Sequence, residues 1–328
     1  MVTLIGMGSG KWEALSAQAQ QAVRSAGLVF GAKRLLAGLP ADCTARQFAR
    51  YQPADILETL AQNSGQDAAV LYSGDTGFYS GASGLLTPLR ALGIPARVYP
   101  GVSSIQLLSA ALGRPWQDWK LVSAHGCACD PVAECMMNRS VFFLTGGTET
   151  PASLCQKLTD AGMGEAHGVV GENLGTEAEA IRYGSAAELA GQSFAPLSVL
   201  LVENFDLPQL RAPGFPDESF IRSEVPMTKQ EVRAAALAKL AVMPTDTLWD
   251  VGAGTGSVSV ELALAAPKGR VYAVECEPDA CELIRKNRAK FHACNLILIE
   301  GRAPDVLADL PAPDAVFIGG TKGGMEAA

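Results

Sequence analysis

Asp250 and Glu275 are the side chains whose setting most clearly asks for a ligand. Asp250 stands in Leu248-Trp-Asp250-Val-Gly252-Ala-Gly254-Thr255-Gly256, a run predicted to leave a strand and open a helix. Glycines there let the backbone approach a bound molecule, and a helix N-terminus offers it unpaired N–H groups. Such a turn serves dinucleotides and S-adenosylmethionine alike, and three features favour the second. Gly256 comes two residues after Gly254, where the dinucleotide fingerprint wants three. A carboxylate at 250 would repel a pyrophosphate but pairs with the ammonium of a methionine moiety. Glu275 ends the next predicted strand, about 20 residues beyond the glycines, placed to accept from both ribose hydroxyls. Gly301-Arg302-Ala303 follows the third predicted strand, where loops close over an adenine.

The first half carries its own glycine loops. Gly6-Met-Gly8-Ser-Gly10, Ser73-Gly74-Asp75-Thr-Gly-Phe-Tyr79 and Pro100-Gly-Val-Ser103-Ser104 each follow a predicted strand. Any one of them is as compatible with a plain turn as with a site. Together they fall at strand C-terminal ends, where open α/β sheets bind ligands, and imply one cleft. Glu172-Asn173 and Glu203-Asn204 end later strands and are further candidates to frame it. His125-Gly-Cys127-Ala-Cys129 is too tightly spaced for the Cys pairs of a zinc site, so no metal is expected. The eight cysteines read as free thiols, buried as small hydrophobes or left at the surface.

The elements that must position these residues alternate along the chain. Strands are predicted at Val2–Gly6, Ala68–Tyr72, Ala96–Pro100, Lys120–Ser123, Ser140–Leu144, Gly168–Gly171 and Ser198–Val202, with helices between several of them. Ser16 caps a helix to Ser25, Pro53 opens one, and Ser83–Leu92 and Ser103–Leu112 end at Gly93 and Gly113. His125–Glu134 reads as the connection between two α/β lobes. Three prolines between Asp206 and Asp217 mark a linker. Beyond it, Thr228-Lys-Gln-Glu231 has the form of a capping box opening a helix. Strands then follow at Thr247–Val251, Arg270–Glu275, Leu296–Ile299 and Ala315–Ile318. Four strands are only part of a doubly wound sheet, and the sequence ends at the expected start of another helix.

The 328 residues allow about two domains. With 48% apolar and 18% charged residues, the chain can fill sizeable cores and is not disordered or fibrous. The net charge is −8, and both parts flanking residue 210 are acidic, at −5 and −3. That balance disfavours nucleic acid as a partner. No apolar run approaches the ~20 residues of a membrane span, and no leader pattern opens the chain. A soluble, cytoplasmic protein is expected.

Gly6-Met-Gly8, Ser73–Tyr79, Pro100–Ser104, Ser123-Ala-His125-Gly and Gly171-Glu-Asn-Leu-Gly175 resemble the tetrapyrrole (class III) methyltransferases, more narrowly the branch that methylates precorrin-6 in cobalamin biosynthesis. Pro216–Phe220, Pro226-Met-Thr228-Lys229, Glu231-Val-Arg233, the Gly252–Gly256 loop and Phe317-Ile-Gly-Gly320 are similar to the class I methyltransferase that partners it. The fusion resembles the precorrin-6Y C-5,15-methyltransferase (decarboxylating) family over nearly the whole chain. The resemblance implies a two-lobed tetrapyrrole methylase fold over 1–205, with the lobe boundary near 115–125. A linker over 206–218 and an α/β Rossmann-like class I domain over 219–328, C-terminally incomplete, would follow.

It also implies two S-adenosylmethionine sites, a precorrin substrate, methylation at C-5 and C-15, and decarboxylation of the C-12 acetate. Homo-oligomerisation is a family expectation. The first site would use Gly8, Gly74, Asp75, Ser103 and Ser104. The second would use Thr228, Asp250, Gly252, Gly254, Thr255, Gly256, Glu275, Gly301, Arg302 and Ala303. Because the implied substrate bears many carboxylates, Arg222, Lys229, Arg233 and Lys322 are candidates to meet it, and His125 is a candidate substrate contact or base. Two positions depart from the family pattern: Cys127 stands where an arginine commonly follows His-Gly, and Thr76 where a proline commonly follows Gly-Asp. The alternatives are an NAD-dependent oxidoreductase, or a non-catalytic precorrin-handover scaffold fused to a single methyltransferase.

Overall fold

The computed structural model describes residues 1–204, 206–208 and 213–320. Three sheets organise them. The first contains β1 (Val2–Gly6), β2 (Leu28–Phe30), β3 (Arg46–Phe48), β4 (Ala68–Tyr72) and β5 (Ala96–Tyr99), in the order β3-β2-β4-β1-β5. Its helices are α1 (Ala17–Ser25), α2 (Lys33–Leu36), α3 (Pro53–Gln62), α4 (Ala82–Ala91) and α5 (Ser104–Leu112).

Strand β1 pairs in parallel with both β4 and β5. Parallel strands covered on both faces read as continuous apolar runs, and β1 is buried at every position. Its side chains alternate between two cores. Ile5 joins Ala19 and Val23 of α1 on one face, while Val2 and Leu4 join Ile56 of α3 and Leu85 and Leu89 of α4 on the other.

The second sheet holds β6 (Lys120–Ser123), β7 (Ser140–Leu144), β8 (His167–Glu172), β9 (Ala180–Ser185) and β10 (Ser198–Glu203), in the order β6-β7-β10-β8-β9. Helices α6 (Pro131–Met137), α7 (Pro151–Asp160) and α8 (Ala186–Ala190) accompany it. Residues 125–134 therefore do not connect the two sheets. They follow β6, already a strand of the second sheet, and the change of sheet lies between Leu112 and Lys120.

The third sheet is formed by β11 (Thr247–Val251), β12 (Arg270–Glu275), β13 (Leu296–Glu300) and β14 (Ala315–Ile318), with helices α9 (Gln230–Leu240), α10 (Ser257–Ala265) and α11 (Pro278–Lys290). Its order is β13-β12-β11-β14 and all its pairs are parallel. The chain reverses direction across the sheet between β11 and β14, the kind of switch point at whose strand ends ligands bind. Helix α10 is buried from Ser257 to Leu264, as expected of a helix enclosed on all sides.

Phe215, inside the stretch read as linker, is buried in the same core as Leu248 and Ile284. Residues 209–212 of that stretch, and Lys322, lie outside the described residues. The strands not anticipated are β2, β3 and β9. Two have three residues and β9 is half exposed, so none carries a readable period. Among the described residues no helix is long and apolar enough to cross a membrane.

Candidate functional site

The C-terminal ends of β11 and β12 open onto a cavity of about 580 Å³. Thr228, Asp250, Gly252, Gly254, Thr255, Glu275, Gly301, Arg302 and Ala303 all line it. Strand pairing explains the convergence: Asp250, next to last in β11, and Glu275, last in β12, lie at the ends of adjacent parallel strands, and Glu300, just before Gly301, pairs with Glu275.

The Glu275 carboxylate is engaged with backbone. Oε2 accepts from Gly254 N–H at 2.8 Å, and Oε1 accepts from Cys276 N–H at 2.8 Å and Glu277 N–H at 3.0 Å. It thereby sets the shape of the glycine turn. Asp250 is 1% exposed. Its Oδ2 accepts from the Ser259 hydroxyl, while its Oδ1 has no hydrogen-bond partner, and neither has Thr255 Oγ1. Burial pushes the Asp250 carboxyl up to about 7, the Ser259 hydrogen bonds oppose this, and the Glu275 charge adds to it. Buried polar atoms without partners are uncommon. Two of them beside one glycine turn mark a place shaped for a polar ligand.

Three of the anticipated residues stand elsewhere or act otherwise. Gly256 is not in the cavity wall. It caps α10 at φ +75°, and a Cβ there would lie 3.0 Å from the Ile284 side chain, so it serves the close approach of α11. Thr228 is not a helix cap either. Lys229 takes the N-cap position of α9 and makes no side-chain cap, while the Thr228 carbonyl accepts from Arg233.

Arg233 is no surface cation: it is 0% exposed. It pairs with Glu261 at 2.9 Å and Asp217 at 2.8 Å, donates to Phe215 O at 2.6 Å, and lies over the Phe220 ring. Glu261 in turn accepts from Gly214 and Phe215 N–H. An expected substrate contact is thus the hub of a buried network, because its donors are already used by this chain. Arg222 and Lys229 are exposed, Lys229 lying 3.5 Å from Asp217.

In the first sheet the three strand-end loops lock into one cluster. Gly8 and Gly74 exchange backbone hydrogen bonds at 3.1 and 2.9 Å. Asp75 binds both its own turn and the next loop, accepting from Gly77 N–H at 2.7 Å and Gly101 N–H at 3.0 Å. Gly101 is packed so closely that a Cβ would lie 2.3 Å from Gly74 O and 2.5 Å from Gly6 O. Ser103 is the buried N-cap of α5, its N–H donating to Gln106 Oε1 at 2.6 Å, and Ser104 begins the helix. Asp75 and Ser103 therefore have demonstrable structural work in holding the loops. Glu172 likewise accepts from Ala195 N–H, and Asn204 donates to Cys135 O.

His125 belongs to the second sheet's loops. Its Nδ1 lies 3.2 Å from Thr145 O, so that nitrogen carries the proton and Nε2 is left as the acceptor of the neutral ring. Burial and then Glu149 push the Cys129 thiol up to about 11, so it holds its proton at neutral pH. Among the described residues no group of three or more His, Cys, Asp or Glu side chains is placed to hold a metal.

Two side chains escaped the sequence reading. Ser259 sits in a helical run whose pattern gives no sign that it reaches back to a strand. Arg34 donates to Ser73 Oγ at 2.6 Å across 39 residues, and no carboxylate pairs with it among the described residues. Only the pairing of β2 beside β4 brings that guanidinium to the Ser73 loop.

Fold and site together define a class: an α/β tetrapyrrole methylase-type region followed by a Rossmann-like methyltransferase domain. The pattern of the tetrapyrrole (corrin/porphyrin) methylases matches residues 1–190, and that of a precorrin methyltransferase domain matches residues 219–328. The precorrin-6Y C(5,15)-methyltransferase [decarboxylating] of a Sinorhizobium species is 32% identical over 331 residues, covering 99% of this chain and 79% of that protein. A probable cobalt-precorrin-6B C(15)-methyltransferase (decarboxylating) of Sulfolobus acidocaldarius is 53% identical over 116 residues, 34% of this chain and 60% of its own. The crystal structure of uroporphyrin-III C-methyl transferase from Thermus thermophilus, complexed with S-adenyl homocysteine, aligns with a TM-score of 0.51 and 20% identity. It covers 62% of this chain and 91% of that one, and shows the fold alone. The chain belongs to the precorrin-6Y C(5,15)-methyltransferase (decarboxylating) family.

Proposed function

We propose that this chain methylates a precorrin-6 tetrapyrrole from S-adenosylmethionine, at C-5 through residues 1–205 and at C-15 through residues 219–328, where the C-12 acetate is also lost as carbon dioxide. The observation that carries this reading is the cavity beside β11 and β12, with a buried, unpartnered Asp250 oxygen next to a glycine turn. An ammonium group complements that oxygen, a hydroxyl complements Thr255, and the volume suits a nucleoside-sized ligand. Asp250, Gly252, Gly254 and Thr255 would hold the methionine end, Glu275 the ribose, and Gly301, Arg302 and Ala303 the adenine. In the first domain Gly8, Gly74 and Ser104 offer a backbone cradle that Asp75 and Ser103 keep in shape.

When bound, the donor would supply an electrophilic methyl on a sulfonium. An electron-rich meso carbon of the reduced ring would attack that methyl in line, forming the C–C bond as the C–S bond breaks, so that adenosylhomocysteine leaves and the positive charge passes to the ring. Little covalent help is needed from the protein. Holding the two reactants in near-attack geometry is worth up to about 7–11 kcal/mol, which accounts for a site built of loops rather than a nucleophile and base. For decarboxylation the electron sink is a protonated ring nitrogen of the substrate itself. The substrate's carboxylates need cations: Arg34 at the first site and Arg222 and Lys229 near the second are the accessible candidates. His125, through Nε2, is a candidate contact.

The test is incubation of the chain with reduced precorrin-6 and labelled adenosylmethionine, followed by mass analysis. Gain of two methyl groups with loss of carbon dioxide supports the reading. An unaltered ring, with NADH bound in place of adenosylhomocysteine, overturns it in favour of an oxidoreductase.

A further inference from the structure

Ser259 is fully buried on α10, yet its hydroxyl does not turn back onto its own helix as mid-helix serines often do. It donates instead to Asp250 Oδ2 on β11. That bond uses one carboxylate oxygen and leaves the other, Oδ1, buried in the cavity wall without a partner. We infer that Ser259 is a positioning residue for the second donor site: it orients Asp250 so that Oδ1 meets a ligand's ammonium, and capture of that ammonium expels a proton from the Asp250 carboxyl to solvent. The inference rests on the reading of this cavity as a methyl-donor site and deepens it.

The surroundings argue for coupling. The other titratable or charged groups in the wall are Glu275 at the end of β12, Cys276 and Glu277 after it, Asp279 of α11, and Arg302 after β13. Strand β14 contributes none, and Glu261 of α10 is bonded to Arg233. Among the described residues the lining is thus acidic, with Arg302 its one cation, and favours a cationic ligand. Burial keeps the Asp250 carboxyl up near 7, so at neutral pH a large share of the empty site is protonated. An arriving ammonium stabilises the carboxylate, and the proton leaves.

The test is calorimetric titration of the full chain with adenosylhomocysteine, in buffers of differing ionisation enthalpy, from pH 6 to 9. The wild type is expected to release a proton at pH 7, and Asp250→Asn to abolish that release. Ser259→Ala should weaken the second site on the order of tenfold at pH 7, as loss of a hydrogen bond to a charged group does. Its deficit should narrow as pH rises, because the missing donor raises the carboxyl further, and the part that persists once the carboxyl is ionised reads the lost orientation. Ser259→Cys, nearly isosteric but a weaker donor, should fall between; it keeps the test usable if alanine loosens the helix. If Ser259→Ala binds as the wild type does at pH 7, with unaltered proton release, the inference falls while the donor site stands. If the wild type binds no adenosylhomocysteine that Asp250→Asn removes, the donor-site reading falls with it.

Discussion

Arg233 separates what a residue type promises from what its surroundings allow. A cation flanking the motifs looks like a partner for an acidic substrate. Folding instead spends its donors on Glu261, Asp217, Phe215 and Thr228. Burial by itself would raise the Asp217 carboxyl, but the hydrogen bond and charge of Arg233 outweigh it and hold it below the usual carboxylate range. Arg233→Ala should therefore cost about 3–5 kcal/mol of stability, since it strands a buried Glu261, and should show in urea unfolding. The Asp217 share of that stability is present above the ordinary carboxylate range and is lost as pH falls. Loss of substrate affinity in Arg233→Ala without loss of stability would contradict this.

Asp250 has the opposite sign. Its folded carboxyl is raised from 3.8 to about 7, so the unfolded chain gives up its proton first and the unliganded fold loses stability as pH rises between those values. The loss is at most about 4 kcal/mol. Asp250→Asn should melt higher than the wild type at pH 8 and the two should converge at pH 4; equal melting curves at pH 8 would refute the buried, unpartnered carboxyl.

At the scale of elements, the sites are made by strand ends. Long, buried strands such as β1, β11 and β12 were legible from their apolar runs. The short β2 and the polar edge β3 were not, and with them went the pairing that brings Arg34 to Ser73. The glycine turns were legible as turns, but not the division of labour within them. Gly256 looks like its neighbours in sequence and differs because α11 crosses beside it. Gly101 illustrates the same dependence in the first sheet, where its lack of a side chain lets three loops meet. Gly101→Ala should destabilise the chain by about 1–3 kcal/mol, the usual cost of overpacking, and abolish donor binding at the first site only. Calorimetry would show one adenosylhomocysteine equivalent lost and the other kept; retention of both would show that the loop cluster is not a donor site.

At the scale of the molecule, two unrelated α/β arrangements in one acidic chain were readable in outline because each carries its own set of loops. The linker was readable as a proline-rich break, but its last residues fold into the third sheet's core because Glu261 and Arg233 bind their backbone. Nothing local in the sequence announces that. The central claim is that the acid-flanked turn after β11 receives a methyl donor, and the most direct measurement is a crystal structure of the chain soaked with adenosylhomocysteine. The account predicts ligand density in the cavity, with its ammonium on Asp250 Oδ1 and its ribose on Glu275. A cavity that stays empty at saturating ligand, or is filled by side chains, would contradict it.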